Sequence, residues 1–443
     1  MEPAGPSIDT TGLPRSCLRL TSPPSDEASL KSGAFFPSSI MAMLFSRGKS
    51  DLSRRPGART GGARAYSAGM ERRDFLTTSA LAAAAATAAP RTLLAADEDV
   101  SARRLPRWRG FNLQGRFPWP GHPYDGPAFD ELDFEAMAEW GFDFARLPLN
   151  YWTWGSREDW TEVREEPLKQ IDRAIELGRR HRVHVNLNFH RVPGYCVNGR
   201  ELEPADLFSG RAAERQRALD AAALHWKTFA RRYKGIPNRE LSFDLINEPP
   251  KMRPWEGYLE ERYVEVVKAL VAGIREVDPG RLIVADGLDI GQLPVLGLAE
   301  LGIAQSTRGY LPKAVSHYTA GWVPREEFES FALPTWPLVD DKGTTWDRAR
   351  LEKECIDPWR PLVAKGVGVH VGELGAFVKT PHAVVLAWLE DFLSLWKQAG
   401  WGFALWQLRG PFGVLDSGRE DVAYEDWRGH KLDRKLLELL RRY

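Results

Sequence analysis

Two glutamates stand at positions from which a pair of carboxylates could react. Glu248 directly follows the strand-like run 241–247, and Glu373 comes just after the run 367–371. A carboxyl group projecting from the end of a buried strand must be hydrogen-bonded or desolvated, and either condition shifts its pKa. Two such groups on either side of a bound sugar can supply an acid/base and a nucleophile. A single glutamate there is more often a salt bridge or a cap, so the hypothesis depends on the pair.

The elements that would position this pair follow from an alternating pattern after residue 105. Short runs rich in β-branched and aromatic residues alternate with stretches of helical periodicity. Predicted strands cover residues 110–114, 142–148, 184–190, 241–247, 281–285, 304–310 or 314–318, 367–371 and 402–406. Predicted helices cover 129–140, 167–181, 211–233, 257–276, 381–399 and 432–442. This series predicts an α/β fold, a (β/α)8 TIM barrel forming a single catalytic domain over residues 105–443.

An open doubly wound sheet is the alternative fold for the same alternation. It usually carries a Gly-rich phosphate-binding turn after its first strand, and residues 110–115 lack one. The barrel also makes a prediction that the sequence can test, because its catalytic groups belong at the carboxyl ends of the strands. Polar or aromatic residues follow nearly every predicted strand, including Arg146, His190, Asn247, Tyr310 or His317, and Trp406.

Five motifs in this order resemble glycoside hydrolase family 5, the large cellulase family. They are Arg146 in Phe-Ala-Arg-Leu-Pro-Leu, His190 in Asn-Phe-His-Arg-Val-Pro-Gly, Asn247-Glu248-Pro249, Glu373 in Gly-Glu-Leu-Gly, and Trp406. The resemblance covers about residues 105–440. Asn-Glu-Pro alone is a weak signal, whereas five motifs in the right order are a specific one. The resemblance implies a TIM barrel and a retaining β-glycosidase.

The resemblance also implies a role for each matched residue. Glu248 would be the general acid/base and Glu373 the nucleophile. The other matched residues would support them: Asn247 by a hydrogen bond to the sugar 2-hydroxyl, Arg146 by keeping the nucleophile ionised, His190 by binding the sugar at the cleavage subsite, and Trp406 as a platform beneath it.

The sixth strand departs from the family pattern. Family members usually show His-x-Tyr there, with the tyrosine bonded to the nucleophile. Arg308-Gly-Tyr310 would replace the histidine by arginine and keep the tyrosine, whereas His317-Tyr318 lacks the intervening residue. We favour Tyr310 over Tyr318 for this role, with His317 as a nearby sugar-binding group. This departure from the family pattern bears on the inferred choice of substrate more than on the inferred chemistry.

The 17 tryptophans exceed what a core of this size needs. Indole rings match the C–H faces of pyranoses and keep an N–H for a hydroxyl. Tryptophans in predicted loops at strand ends are therefore candidates for sugar subsites: Trp119, Trp152, Trp154, Trp322 and Trp336. Those on predicted helices are assigned to the core: Trp140, Trp226, Trp388 and Trp396.

The first hundred residues have a different composition. Residues 1–69 are rich in Ser, Pro, Gly and Arg without a sustained period, which predicts a disordered leader. Met70 precedes Arg72-Arg73, the small-residue apolar stretch 80–89 and Ala95-Ala96, an order typical of a twin-arginine signal peptide over 70–96. An Ala-rich helix with an accidental arginine pair is the alternative. We expect Met70 to be the true start and the enzyme to be periplasmic or extracellular.

Composition limits the remaining classes. The 60 Lys+Arg balance the 60 Asp+Glu, which argues against a nucleic-acid partner. No apolar run is long enough for a transmembrane helix. Three cysteines and the lack of a His/Asp/Glu cluster at metal spacing argue against a metal site, and no cofactor is implied. Cys196 and Cys355 are expected to be separate thiols, although a disulfide between them is possible after export.

The expected partner is therefore a β-linked glucan or mannan, as polysaccharide or oligosaccharide, bound by a monomer. Two alternatives use the same barrel. A transglycosylase would need the same residues and differ only in whether sugar or water reaches the intermediate. A non-catalytic carbohydrate-binding protein would keep the subsites without turnover.

Overall fold

Eight parallel strands form a closed barrel in the computed structural model, which describes residues 100–115 and 129–443. Each strand pairs with its neighbours in the chain, and the last pairs with the first. The barrel strands are β1 (Arg109–Asn112), β2 (Phe144–Asn150), β3 (His184–Arg191), β4 (Leu241–Asp244), β5 (Ile283–Asp286), β6 (Ala304–Gly309), β7 (Val369–Leu374) and β8 (Gly402–Leu405). The predicted TIM-barrel class is confirmed.

Six longer helices accompany these strands in the described part of the chain. They are α1 (Glu131–Glu139), α2 (Glu165–His181), α3 (Ala212–Arg232), α4 (Glu260–Val277), α5 (His382–Ala399) and α6 (Arg434–Arg442). Each predicted helix coincides with one of them to within a few residues. Of the two alternatives for the sixth strand, 304–310 is right. The other, 314–318, is wrong because it falls on the short helix Lys313–Ser316.

Helix α2 shows how the sequence specifies the outer layer. Its buried Leu168, Ile171, Ala174 and Ile175 recur at intervals of three and four, so they share one face. Acidic residues occupy its first turn and basic residues its last, which favours the helix dipole at both ends. Arg182 ends the helix in the left-handed conformation. Burying each large apolar side chain on that face contributes about 1.5–3 kcal/mol.

The amino-terminal end of the barrel is closed by an aromatic layer. Trp108 stacks on His184 with ring centroids 3.7 Å apart, and Phe144 lies 4.4 Å from His370. Burial lowers the pKa of His184 and of His370 to about 3, so both imidazoles are neutral. This layer seals the end opposite the predicted catalytic groups.

Two loops at the carboxyl-terminal end carry structure of their own. After β6, the segment 317–347 contains the hairpin of Leu338–Val339 and Thr345–Trp346. After β8, the segment 406–433 contains the hairpin of Glu425–Trp427 and His430–Leu432. Four shorter helical segments lie between the first hairpin and β7: Arg348–Leu351, Glu352–Ile356, Asp357–Trp359 and Arg360–Ala364. The long loops therefore surround the end of the barrel where the glutamates lie.

The structure also bears on the cysteines and on membrane insertion. Cys196 and Cys355 are both buried free thiols, as expected. Among residues 100–115 and 129–443, none of the helices combines the length and the apolar composition required to cross a bilayer. The predicted leader and signal peptide, residues 1–96, lie outside the described residues.

Candidate active site

The two glutamates meet at the carboxyl-terminal end of the barrel, where one guanidinium joins them. Glu373 is on β7, and Glu248 lies just beyond β4. Nε of Arg308, on β6, is 3.0 Å from Glu248 Oε1, and its Nη2 is 3.5 Å from Glu373 Oε1. Because a guanidinium is a small rigid fork, the two carboxylates face a common space.

Arg146 on β2 holds Glu373 and the strands beside it. Its Nη1 donates to Glu373 Oε1 at 2.7 Å, and its Nε donates to Asp244 Oδ2 at 2.9 Å. Further donations reach Asn112 Oδ1 at 3.0 Å and Asn247 Oδ1 at 2.8 Å. The side chain is 1% exposed, so these charge-assisted bonds are shielded from water. Arg146 therefore presents one fixed donor to the nucleophile candidate.

A bulge in β7 sets the direction of Glu373. The ladder with β6 pairs Thr307 with Val371 and then Arg308 with Glu373, so Gly372 is skipped. A bulge bends its strand and re-aims the following side chain. A Cβ at Gly372 would lie only 2.5 Å from Ser306 Oγ, which explains the glycine.

Tyr310 supplies the second bond to Glu373. Its hydroxyl donates to Glu373 Oε2 at 3.1 Å, so the tyrosine in Arg308-Gly-Tyr310 occupies the position favoured over Tyr318. His317 stands edge-on to the Tyr310 ring at 5.0 Å and shares a hydrogen bond with Ser316. Burial lowers the pKa of His317 to about 3, so the ring is a neutral member of the cleft wall.

Asn247 links the charged centre to His190 and Trp406. Its Oδ1 accepts from both arginines, and its Nδ2 lies 3.3 Å from His190 Nε2. Because an amide nitrogen can only donate, Nε2 accepts and Nδ1–H donates to Asn188 Oδ1 at 3.2 Å. Burial lowers the pKa of His190 well below its usual range, consistent with this neutral tautomer. The ring stacks at 5.5 Å on the half-buried Trp406.

Glu248 is held through its backbone as well as its side chain. Its φ of 47° is in the left-handed region, which a non-glycine residue rarely adopts. The backbone N–H donates to Asp286 Oδ2 at 2.8 Å, and the carbonyl accepts from the Tyr195 hydroxyl at 2.6 Å. Burial raises the pKa of the Glu248 carboxyl to about 7, and the charge of Glu373 adds to the rise. Glu248 can therefore carry a proton near neutrality.

Comparison with known proteins decides the family. Residues 97–410 match the family model described as cellulase, glycosyl hydrolase family 5. The chain belongs to this family. It is therefore a glycoside hydrolase, as the resemblance implied.

Individual relatives agree with the assignment. Endoglucanase C of Acetivibrio thermocellus is 26% identical over 324 residues, covering 67% of this chain and 88% of that protein. Glucan 1,3-beta-glucosidase D of Emericella nidulans is 35% identical over 132 residues, 27% of this chain and 15% of that protein. A crystal structure of a glycoside hydrolase is 38% identical with a TM-score of 0.70, covering 76% of this chain and 99% of that one.

The subsite tryptophans of this family 5 enzyme need correction. Trp154 was predicted to contact sugar, and this is wrong: it is fully buried, its N–H donates to His225, and it packs on Phe189. The chain turns inward after β2, which sequence spacing did not reveal. Trp152 is half-buried with the Arg191 guanidinium 4.1 Å from its ring centre, which covers that face.

The three remaining subsite candidates differ in their surroundings. Trp322 is 41% exposed and stands 6.2 Å from His317, so it remains available to a ligand. Trp336 donates its N–H to Asp391 of α5 and ties the long loop down. Trp119 lies outside the described residues. The tryptophans assigned to the core, Trp140, Trp226, Trp388 and Trp396, are buried.

Arg308 lies inside the charged centre. Its side chain has no exposed surface and contacts both glutamates. The two buried aspartates that neutralise the arginines were missed altogether. Asp244 ends β4 beside Arg146, and Asp286 ends β5 beside Arg308. The sequence feature that could have revealed them is an acidic residue at the last position of an apolar strand, as in Val-Ala-Asp-Gly at 284–287.

Proposed function

We propose that this enzyme hydrolyses β-glucans with net retention of configuration, in two displacements through a glycosyl-enzyme intermediate. The single observation that carries the proposal is the opposite setting of the two carboxylates around Arg308. Glu373 accepts bonds from Arg146 and Tyr310, which favours an ionised nucleophile. Glu248 has its pKa raised by burial, which favours a proton donor. The names of the endoglucanase and glucosidase relatives support β-glucan as the substrate.

In the first displacement, a Glu373 oxygen attacks the anomeric carbon as the bond to the leaving oxygen breaks. Glu248 transfers its proton to that oxygen, so the leaving sugar departs as a neutral alcohol. Arg146 and Tyr310 fix the attacking carboxylate in one orientation before the reaction. Little reorganisation is then required in the transition state.

In the second displacement, Glu248 acts as a base instead of an acid. Esterification removes the charge of Glu373, which had helped to raise the pKa of Glu248. The pKa of Glu248 therefore falls, and its carboxylate takes a proton from the attacking water. Water cleaves the ester, and Glu373 returns as a carboxylate while Glu248 is again protonated.

Neutral side chains lie next to Glu248 and Glu373 and form the proposed sugar-binding surface. His190 lies on Trp406, which offers a half-buried ring at the edge of the charged centre. Asn247 Nδ2 lies between the centre and His190. We propose that Trp406 stacks under the sugar, that Asn247 bonds its 2-hydroxyl, and that His190 and His317 bind neighbouring hydroxyls.

A substrate screen with product stereochemistry tests this function. Defined β-1,4-glucans, β-1,3-glucans, β-mannans and aryl β-glycosides are incubated with the enzyme, and the first-formed anomer is followed by NMR. We expect β-glucan hydrolysis with a β-anomer released first. Release of the α-anomer would refute the double displacement. Glycan binding without turnover of any substrate would favour the non-catalytic alternative, and turnover of mannan alone would exclude the glucan assignment.

We also propose that the enzyme is exported through the twin-arginine route. The support is the order of Arg72-Arg73, the apolar stretch 80–89 and Ala95-Ala96. Arg72→Lys combined with Arg73→Lys should move activity from the periplasmic to the cytoplasmic fraction of a bacterial host. Arg91→Lys, outside the arginine pair, serves as the matched control. Unchanged export of the double variant would refute the route.

A further inference from the structure

Arg308 is surrounded by acceptors that use its whole donor set. Besides the contacts to the two glutamates, Nη1 donates to Asp286 Oδ1 and to Ser306 Oγ, both at 3.0 Å. Nη2 donates to Asn247 Oδ1 at 2.9 Å and to Asp286 Oδ2. Both the Arg308 and the Asp286 side chains are completely buried. This pair therefore lies under the reacting carboxylates and is separated from solvent.

The fold provides a slot for this guanidinium. A Cβ at Gly372 would lie 2.9 Å from Arg308 Nη1, and a Cβ at Gly291 would lie 2.7 Å from Arg308 Cγ. Both distances are too short for a real side chain. Gly372, within β7, and Gly291, at the end of the short helix Leu288–Gly291, thus leave the space that the arginine occupies.

The donor-only guanidinium also decides which oxygen of Glu248 can carry a proton. Arginine has five N–H donors and no acceptor, so the oxygen that it contacts must accept. The carbonyl oxygen of a neutral acid is its better acceptor, and Arg308 Nε contacts Oε1 of Glu248, so the contact favours the proton on Oε2. A histidine here could donate or accept according to its tautomer. The arginine removes that ambiguity.

A cation beside an acid nevertheless favours loss of the acid's proton, and here Asp286 compensates. Its carboxylate forms a two-pronged ion pair with Arg308, and its Oδ2 also accepts the backbone N–H of Glu248. The other ionisable groups acting on Glu248 are Glu373, Tyr310, Tyr195 and Cys196. Burial raises the pKa of both tyrosines and of the thiol, so these three stay neutral. Glu373 and the Arg308–Asp286 pair therefore set the local charge.

We propose that Arg308 and Asp286 are a positioning pair for the acid/base: Arg308 orients the Glu248 carboxyl, while Asp286 cancels the arginine's charge and fixes the Glu248 backbone. This inference rests on the proposed function, because it assigns Glu248 the proton-donor role. It adds two residues that act through Glu248 and touch no substrate.

The test is a pH–rate cycle on an aryl β-glucoside with a poor leaving group. Asp286→Asn leaves Arg308 uncompensated, so the basic limb of kcat/KM should move down by about one to three pH units. Arg308→Gln leaves the charge of Asp286 uncompensated, so the basic limb of kcat/KM should move to higher pH. The double variant should return it close to the wild-type position. A merely structural role would lower activity in all three variants without opposite shifts, and that result would overturn the proposal.

Controls separate misfolding and failure of the proposed function from failure of this inference. Asp278→Asn removes the partner of Arg281, another buried arginine, at the opposite end of β5. It should leave the limb in place. If a single variant does not fold, the double variant is compared on a dinitrophenyl glucoside, whose departure needs no acid. The loss of kcat/KM on the dinitrophenyl glucoside should be at least tenfold smaller than the loss on the glucoside with the poor leaving group. Equal losses on the two substrates would overturn the proposal. An inactive wild type would instead refute the proposed function.

Discussion

Glu248 and Glu373 are the same kind of side chain, but their surroundings prepare them for different tasks. Glu373 accepts from a buried guanidinium and a phenol, both of which stabilise its charge. Glu248 is hydrogen-bonded to Arg308, whose charge Asp286 neutralises. Its backbone is in the left-handed conformation. A strained backbone persists only where neighbours overdetermine it, as Asp286 and Tyr195 do here. The different chemical roles of the two glutamates therefore come from the residues that contact them.

The pH profile gives the first prediction at this scale. Because burial raises the pKa of Glu248 to about 7 and the proton donor must be protonated, kcat/KM should fall tenfold per pH unit above that value. Glu248→Gln should abolish this limb, since the amide does not titrate, and cut turnover of poor leaving groups by about 10²–10⁴-fold. Steady-state kinetics from pH 5 to 9 measures both. A limb unchanged in the variant would contradict the assignment.

At the scale of elements, the site depends on where strands end and bulge. β2 contributes Arg146, β6 contributes Arg308, and β7 contributes Glu373 through the bulge at Gly372. The carboxyl ends of parallel strands converge at one mouth, so residues far apart in sequence become neighbours. The bulge matters because a regular ladder would place the next side chain on the other face of the strand.

Gly372 supplies a prediction about this element. Gly372→Ala places a Cβ 2.5 Å from Ser306 Oγ and 2.9 Å from Arg308 Nη1. The substitution should destabilise the fold by about 1–3 kcal/mol, because a packed core cannot absorb the overlap, and should lower kcat. Gly280→Ala is the matched control, since a Cβ there meets no atom within 4 Å. Thermal unfolding and kcat measure the two, and equal stability of both variants would contradict this explanation.

At the scale of the whole molecule, neutral buried histidines tie stability to pH. Burial lowers the pKa of His184, His317 and His370 to about 3 and that of His225 to about 4. The unfolded chain binds these protons near pH 6.5, whereas the folded chain does not. Their contribution to stability is therefore complete above pH 6.5 and is lost as the pH falls through the interval down to about 3.

This linkage predicts acid lability of the described domain. Each such histidine costs about 1.4 kcal/mol per pH unit below 6.5. Glu248 and Asp244 oppose the trend, because the pKa of each is raised to about 7 by burial and the folded state gains their protons first. Burial also raises the pKa of Asp133, Asp143 and Glu329, but by less. The five histidines, His190 included, therefore outweigh these carboxyls, and the melting temperature should fall between pH 6.5 and 4.5. A melting temperature constant or rising over that range would contradict the prediction.

Much of this organisation could be predicted from the sequence, and the exceptions have physical causes. Period and length predict the barrel because strands buried on both faces alternate with amphipathic helices. Arg146, Asn247, Glu248 and Glu373 are found because each follows or ends such a strand. The inward turn of Trp154 and the pairing of Asp286 with Arg308 depend on contacts between distant elements, which local pattern does not encode.

Trapping the glycosyl-enzyme tests the central claim most directly. A 2-deoxy-2-fluoro-β-glucosyl or -cellobiosyl fluoride slows the second displacement, and peptide mass spectrometry then locates the attached sugar. The account predicts one sugar per chain on the peptide containing Glu373, with inactivation at the same rate. A sugar attached to Glu248 or to another carboxylate, or turnover without any attached sugar and with inversion, would contradict it.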